Sequence, residues 1–203
     1  MARYERKDRF HQQAKREGYR SRAAYKLLEM SRSQRLFRPG QRVADLGCWP
    51  GGWLQVAAAA VGPSGRVVGL DLAALDPPLD NENVVALVGD VSQPDDLKAV
   101  LEALQGRAAV LLCDAAPKLT GVRATDRARE ELLLEAVEGA LPVLLEPAGS
   151  LLVKILESPE AQVIDRRLRS CFERARTLKP EASRRGTTER YLVGHGYRGP
   201  AAG

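Results

Sequence analysis

Two rhythms divide this chain: short apolar runs, and longer stretches with apolar residues three and four apart. The runs at 43–46, 66–72, 83–91, 108–115 and 149–156 have the length of buried strands. Helical spacing falls between and around them, at 21–36, 93–104, 126–145 and 160–175. In the first helix Ser21 is the expected N-cap, with Ala23, Leu27 and Met30 on one face. Arg38-Pro39-Gly40 separates that helix from the first strand. Another helix opens after a glycine-rich turn and carries Trp53, Val56, Ala57 and Ala60 on one side; the one at 126–145 carries Leu133, Val137, Leu141 and Leu144. Strand–helix alternation of this kind predicts an α/β domain, a parallel sheet with helices on both faces. Residues 176–180 and 189–194 are extended, with only polar chain between them, and predict an antiparallel hairpin at a sheet edge.

Charge changes the picture at the N-terminal end. Residues 1–38 carry twelve Lys and Arg against four Asp and Glu, whereas the whole chain is only +5. A basic segment on a mildly acidic body predicts a polyanionic partner, most simply nucleic acid. Residues 1–18 lack clean periodicity and predict a flexible basic arm, ahead of one domain at 19–203 with a helix at 19–38 and a core at 39–197. Tyr4, Phe10, Tyr19, Tyr25 and Phe37 interleave with these charges and are candidates either for base stacking or for packing. Cys48, Cys113 and Cys171 form no CxxC pair, and with two histidines they support neither a disulfide framework nor a metal site. The charged N-terminus is unlike a signal peptide, and no apolar run reaches membrane length, so a cytoplasmic protein is expected.

Polar residues recur where strands end. Asp45, Asp71, Asp90 and Asp114 all fall at C-terminal strand ends, the edge at which open α/β sheets bind ligands. Asp71 follows the turn Gly47-Cys48-Trp49-Pro50-Gly51-Gly52 by the interval at which an acid meets ribose hydroxyls in nucleotide-binding folds. Any one of these acids could be a turn former or cap; four on one edge predict a cofactor pocket. Lys154 interrupts Leu151-Leu152-Val153-Lys154-Ile155-Leu156, where a central strand should be apolar. It is either a strand-end lysine reaching water or a catalytic amine.

Asp45-Leu46-Gly47-x-x-Pro50-Gly51-Gly52-Trp53, Asp114-Ala115-Ala116-Pro117, Val153-Lys154 and Ser183-Arg184 through Glu189-x-Tyr191 resemble the FtsJ/RrmJ-type 2′-O-ribose RNA methyltransferases. Arg22-x-x-Tyr25-Lys26-Leu27 matches that family's segment ahead of the domain, and the likeness spans residues 19–197. Departures from the family pattern are Cys48-Trp49, Lys118, and Ile155-Leu156-Glu157. The resemblance implies a Rossmann-like class I fold, a seven-stranded, mostly parallel sheet whose last strand is antiparallel. It implies S-adenosyl-L-methionine as cofactor, with the methionine part along Gly51 and Trp53, Asp71 on the ribose, Asp90 on the adenine and Asp114 beside the sulfonium. It also implies a catalytic set falling on Lys26, Asp114, Lys154 and Glu189. The substrate implied is a uridine ribose in large-subunit ribosomal RNA; a monomeric enzyme is expected.

For such chemistry Lys154 is either a general base or a protonated group that orients the hydroxyl. Lys26 and a sulfonium favour its neutral amine, Asp114 and Glu189 its ammonium. Other activities fit less well. The glycine spacing is not that of a nicotinamide dehydrogenase, and no Gly-Lys-Ser/Thr marks a phosphotransferase. Base methylation lacks its Pro-Pro-aromatic loop or Pro-Cys pair. A catalytically idle RNA-binding or ribosome-assembly module on the same fold is the alternative.

Overall fold

The computed structural model describes residues 9–117, 120–156, 159–183 and 187–200. Seven strands form one sheet: β1 (Arg42–Leu46), β2 (Arg66–Asp71), β3 (Val84–Val88), β4 (Ala108–Cys113), β5 (Leu145–Leu156), β6 (Phe172–Leu178) and β7 (Glu189–Tyr197). Their spatial order is β3-β2-β1-β4-β5-β7-β6. The first five run parallel, and β7 is antiparallel to both β5 and β6. The expected hairpin is therefore present, with β7 seated inside the sheet and β6 at its edge.

Among the described residues six helices flank the sheet: α1 (Arg9–Arg16), α2 (Ala23–Gln34), α3 (Gly52–Val61), α4 (Pro94–Leu104), α5 (Arg123–Leu144) and α6 (Pro159–Ser170). Because strand side chains alternate between faces, each strand feeds two cores. Ala44, Leu46, Val68, Leu111, Val153 and Leu192 meet α4, α5 and α6. Val43, Val67, Val110, Leu112, Leu152, Tyr191 and Val193 meet α2 and α3. Burying a side chain such as Leu27, Leu54 or Leu112, each fully enclosed, contributes about 1.5–3 kcal/mol.

Several sequence expectations shift locally. The arm is not without structure, since residues 9–16 form α1, with Ala14 buried and the Phe10 ring 5.7 Å from Tyr25. Tyr25 also stacks edge-on with Tyr19 at 5.7 Å and donates its hydroxyl to Glu17 at 2.8 Å, so these aromatics pack against one another. Helix α2 begins at Ala23, with Arg22 at the cap position and no side-chain cap bond, so Ser21 does not cap it. Ala60 is exposed on α3, where Leu54 and Ala58 extend the buried face instead. On α5, Leu134 takes the core position assigned to Leu133, which is only half-buried. The helix expected over 160–175 stops at Ser170, because Phe172 and Tyr197, with rings 5.5 Å apart, open the β6–β7 pairing.

The turn after β1 shows why glycine is required there. Gly47 has φ +76°, and a Cβ on it would lie 2.3 Å from the Cβ of Ala115, so no other residue lets β1 and the segment after β4 approach this closely.

Candidate active site

Alternation decides where the polar residues point. Asp45 shares the β1 face of Val43, Asp71 the β2 face of Val67, and Asp114 follows Leu112 by two residues. Lys154 is two beyond Leu152, and Glu189 and Tyr191 precede Val193 at the same period. All belong to the sheet face covered by α2 and α3, at the C-terminal ends of the parallel strands. Register does the rest: Lys154 pairs with Tyr191 across β5 and β7, Leu156 with Glu189, and Cys113 with Val153 across β4 and β5. Lys26 reaches the same place from α2, on the helix face that buries Ala24, Leu27 and Met30.

These side chains form one continuous chain of hydrogen bonds. Ser183 Oγ donates to Glu189 Oε1 at 2.9 Å, and Lys26 Nζ donates to the same oxygen at 2.5 Å. Lys26 Nζ also donates to the Tyr191 hydroxyl at 3.0 Å, which in turn donates to Asp114 Oδ1 at 2.7 Å. Lys154 Nζ lies 3.2 Å from Asp114 Oδ1 and donates to the Asp114 carbonyl. Lys26, Asp114, Lys154 and Glu189, the four positions the resemblance singled out, are thus brought together. Tyr191, completely buried, is the link between the two halves and was not singled out from sequence as a site residue. The signal existed: on a strand, a residue two beyond Glu189 shares its face.

Burial pushes the Glu189 carboxyl up, but the Lys26 hydrogen bond and charge, Ser183 and the Lys154 charge together hold it below the usual range. Burial first, then Asp114 and Glu189, drives the Tyr191 phenol upward, so it remains a donor. Asp45 is enclosed, with no hydrogen-bond partner on either oxygen among the described residues; burial, then Asp114, then Asp71, push its carboxyl well above the carboxylate range. Burial likewise pushes the Cys113 thiol up to about 12 and Cys48 upward, so neither is a ready nucleophile.

The residues expected to hold a cofactor separate into two groups. Asp71 and Asp114 border the mouth of the glycine turn. Asp71 accepts the Trp49 N–H through Oδ2 and the Ala73 N–H through Oδ1, both at 2.9 Å, which fixes the carboxylate and leaves each oxygen a further lone pair. Gly51, at φ 103°, caps α3 and aims the first-turn N–H groups of that helix at the same mouth. Trp53 differs: its indole N–H donates to the Ala23 carbonyl at 2.9 Å and its ring lies 6.0 Å from Tyr191, so only its backbone can face a ligand. Asp90 sits two residues beyond β3, where Oδ1 accepts the Ser92 N–H at 2.9 Å, on a loop apart from the tetrad. Lys118, Glu157 and Arg184 lie outside the described residues.

Two carboxylates, from Asp71 and Asp114, with the enclosed Asp45 carboxyl behind them, occupy the edge at which a dinucleotide would present its pyrophosphate. They disfavour an anion and suit a cationic group, which fits a sulfonium-bearing amino acid joined to a nucleoside. A Rossmann-like sheet with an inserted antiparallel strand, this turn and a Lys–Asp–Lys–Glu network define the class of nucleoside-cofactor methyltransferases. More narrowly, the chain belongs to the FtsJ-like methyltransferase family, whose model matches residues 19–197.

Relatives agree. The chain is 43% identical over 195 residues to a protein of Acidithiobacillus ferrooxidans named ribosomal RNA large subunit methyltransferase E, covering 96% of this chain and 88% of that one. A protein of the same name from Methanothermobacter thermautotrophicus is 39% identical over 193 residues, covering 95% and 91%. Among solved structures, one assigned as a ribosomal RNA methyltransferase of Plasmodium falciparum superposes with TM-score 0.76 at 25% identity, covering 89% of this chain and all of that one. Aeropyrum pernix fibrillarin, solved with bound S-adenosyl-L-methionine, shares the fold at TM-score 0.60 and 16% identity, over 84% of this chain and 75% of that one.

Proposed function

We propose that this protein transfers a methyl group from S-adenosyl-L-methionine to the 2′-hydroxyl of a ribose, a uridine, in large-subunit ribosomal RNA, acting as a cytoplasmic monomer. The observation that carries the reading is the unbroken network from Lys154 through Asp114, Tyr191 and Lys26 to Glu189, beside a carboxylate-rich edge suited to a cation. The names of the relatives support the substrate. Among the described residues no helix is long and apolar enough to cross a membrane.

When bound, the cofactor supplies an electrophilic methyl on sulfur; the protein's task is alignment and proton removal. Asp71 takes the ribose hydroxyls, and Asp90 the adenine. Gly51 and the Trp53 backbone line the methionine part. Asp114 orients Lys154; once its ammonium has given up a proton to solvent, the amine would take the 2′-hydroxyl proton as the O–C bond forms and the methyl–sulfur bond breaks, leaving the sulfur as a neutral thioether. Asp114 is itself held by the Tyr191 hydroxyl, and Tyr191 by Lys26. Positioning of this kind accounts for much of the expected acceleration. The basic segment at 1–38 grips the RNA backbone.

Single-turnover rates with saturating RNA and cofactor test the reading. Lys154→Ala should abolish transfer while both ligands still bind, because the amine acts only in the transition state. Lys154→Arg should fail as well, since arginine keeps its proton. Near-normal transfer by Lys154→Arg would move the role of base elsewhere, and absence of any methyl transfer to ribosomal RNA by the unmodified protein would overturn the function.

A further inference from the structure

Arg20 belongs to the basic segment, and by charge alone it would count among contacts for RNA phosphates. Its guanidinium is otherwise engaged. Nη2 donates to the Pro78 carbonyl at 2.7 Å and Nη1 to the Pro50 carbonyl at 3.4 Å. Pro50 belongs to the glycine turn, and Pro78 to the eleven residues between Asp71 and Asn83, which have no helix or strand of their own. One planar group therefore bridges the two loops that frame the proposed cofactor site.

The strap is anchored behind Arg20. Its own backbone N–H donates to Gln55 Oε1 at 2.9 Å, and Gln55 Nε2 donates to the Gly18 carbonyl at 2.9 Å, so helix α3 holds this segment on both sides. Its stem packs as well: a Cβ on Gly51 would lie 3.2 Å from Arg20 Cδ, 3.4 Å from Leu75 Cδ1 and 3.5 Å from Leu79 Cδ1. Arg20, Leu75 and Leu79 thus close over the turn together. Among the described residues, 74–80 make no other hydrogen bond to the rest of the chain. Two of them are prolines, which have no N–H to offer.

We propose that Arg20 is a positioning residue of the cofactor site, pinning the 72–82 loop to the glycine turn and thereby setting cofactor affinity; this rests on the reading that the turn and Asp71 bind S-adenosyl-L-methionine. An untied loop must be ordered when ligand binds, and that ordering weakens affinity. Arginine suits the task because its planar fork reaches two acceptors at once, whereas lysine offers a single ammonium point. The same bond also joins the N-terminal segment to the loop, so what the segment grips bears on the cofactor wall.

The test compares Arg20→Ala and Arg20→Lys with the unmodified protein, by calorimetry with S-adenosyl-L-methionine and by backbone ¹⁵N relaxation without ligand, which reads the order of amides whether or not they are hydrogen-bonded. Arg20→Ala should weaken cofactor binding about tenfold, from one lost charge-assisted anchor, and lower the order parameters of 73–76, 79 and 80 while those of β1 and β4 are unchanged. Arg20→Lys should recover only part of both, although it keeps the charge and should bind RNA normally. Full recovery by Arg20→Lys would mean that charge alone acts, and unchanged order parameters in Arg20→Ala would mean that nothing is pinned; either overturns the inference. Failure of the unmodified protein to bind the cofactor overturns the parent reading instead, and the ligand-free relaxation result then still decides whether Arg20 holds the loop.

Discussion

Breaking the Lys26–Glu189 pair tests how the site is held together. The two groups are 2.5 Å apart, with only 8% and 15% of their side chains exposed. Removing one member of a buried pair leaves the other charge without compensation, which costs about 3–5 kcal/mol. In Glu189→Met, Lys26 keeps, among the described residues, only the Tyr191 hydroxyl at 3.0 Å as a hydrogen-bond partner, and Ser183 also loses its acceptor. Because one neutral partner survives, the expected loss lies at the low end, about 3 kcal/mol. Replacing both groups, Lys26→Met with Glu189→Met, removes the desolvated charges together and should cost less than about 1.5 kcal/mol, as volume-conserving apolar swaps do. Urea unfolding of Lys26→Met, Glu189→Met, the double variant and the parent gives the coupling energy directly. The double variant should be well folded and inactive, separating the pair's structural share from its chemistry. Single variants that each lose under 1 kcal/mol would refute the argument and mean that water already reaches this ion pair.

Asp71→Ala should weaken cofactor binding by about 1.5–3 kcal/mol, the value of hydrogen bonds to a charged acceptor, and calorimetry showing unchanged affinity would move the ribose elsewhere. Asp45 offers a pH test: its raised native pKa means that its contribution to stability is complete below its unfolded value, near 3.9, and is lost as pH rises through the native one. Asp45→Asn removes that loss, so its melting temperature relative to the parent should be higher at pH 7 than at pH 4; an equal difference at both would show an ordinary carboxylate. Deleting residues 1–18, which carry six Lys and Arg, should flatten the salt dependence of RNA binding, by up to about 4 in log–log slope if all six meet single-stranded phosphates. An unchanged slope would take the arm out of the RNA interface.

Much of this molecule could be read from its sequence because periodicity and function coincide. The strand pattern gave the sheet, and the same period of two put Asp45, Asp71, Asp114, Lys154 and Glu189 on one face. Lys154 stood out as a charge in an apolar strand, and it proved to be an ion-paired member of the network. Other features needed three dimensions. Tyr191 looks like an ordinary β-strand aromatic until its hydroxyl is found between Lys26 and Asp114. Trp53 falls in the conspicuous glycine motif, yet its indole is taken up by α2, a helix whose packing no local pattern specifies. Residues 171–175 continue a helical rhythm but pair with β7, because tertiary strand pairing outweighs weak local propensity. Arg20 reads as one more positive charge, and only its two carbonyl acceptors distinguish it.

The position of β7 bears on when the enzyme can exist during its own synthesis. Lys26 is bonded to Tyr191, 165 residues further along the chain. At roughly 5–20 residues per second of translation, the helix carrying Lys26 precedes its partners by about 8–33 seconds. Late in that interval β5 has been made and can join β4 but lacks β7 on its other side, and β6, which pairs only with β7 among the described residues, has nothing to join. Pairings of such separation form late because loop closure must precede any contact energy. A chain still on the ribosome can complete the glycine turn, Asp71 and Asp114 long before Glu189 emerges. The cofactor side of the site can therefore mature first, and catalysis must wait for the strand that closes the network.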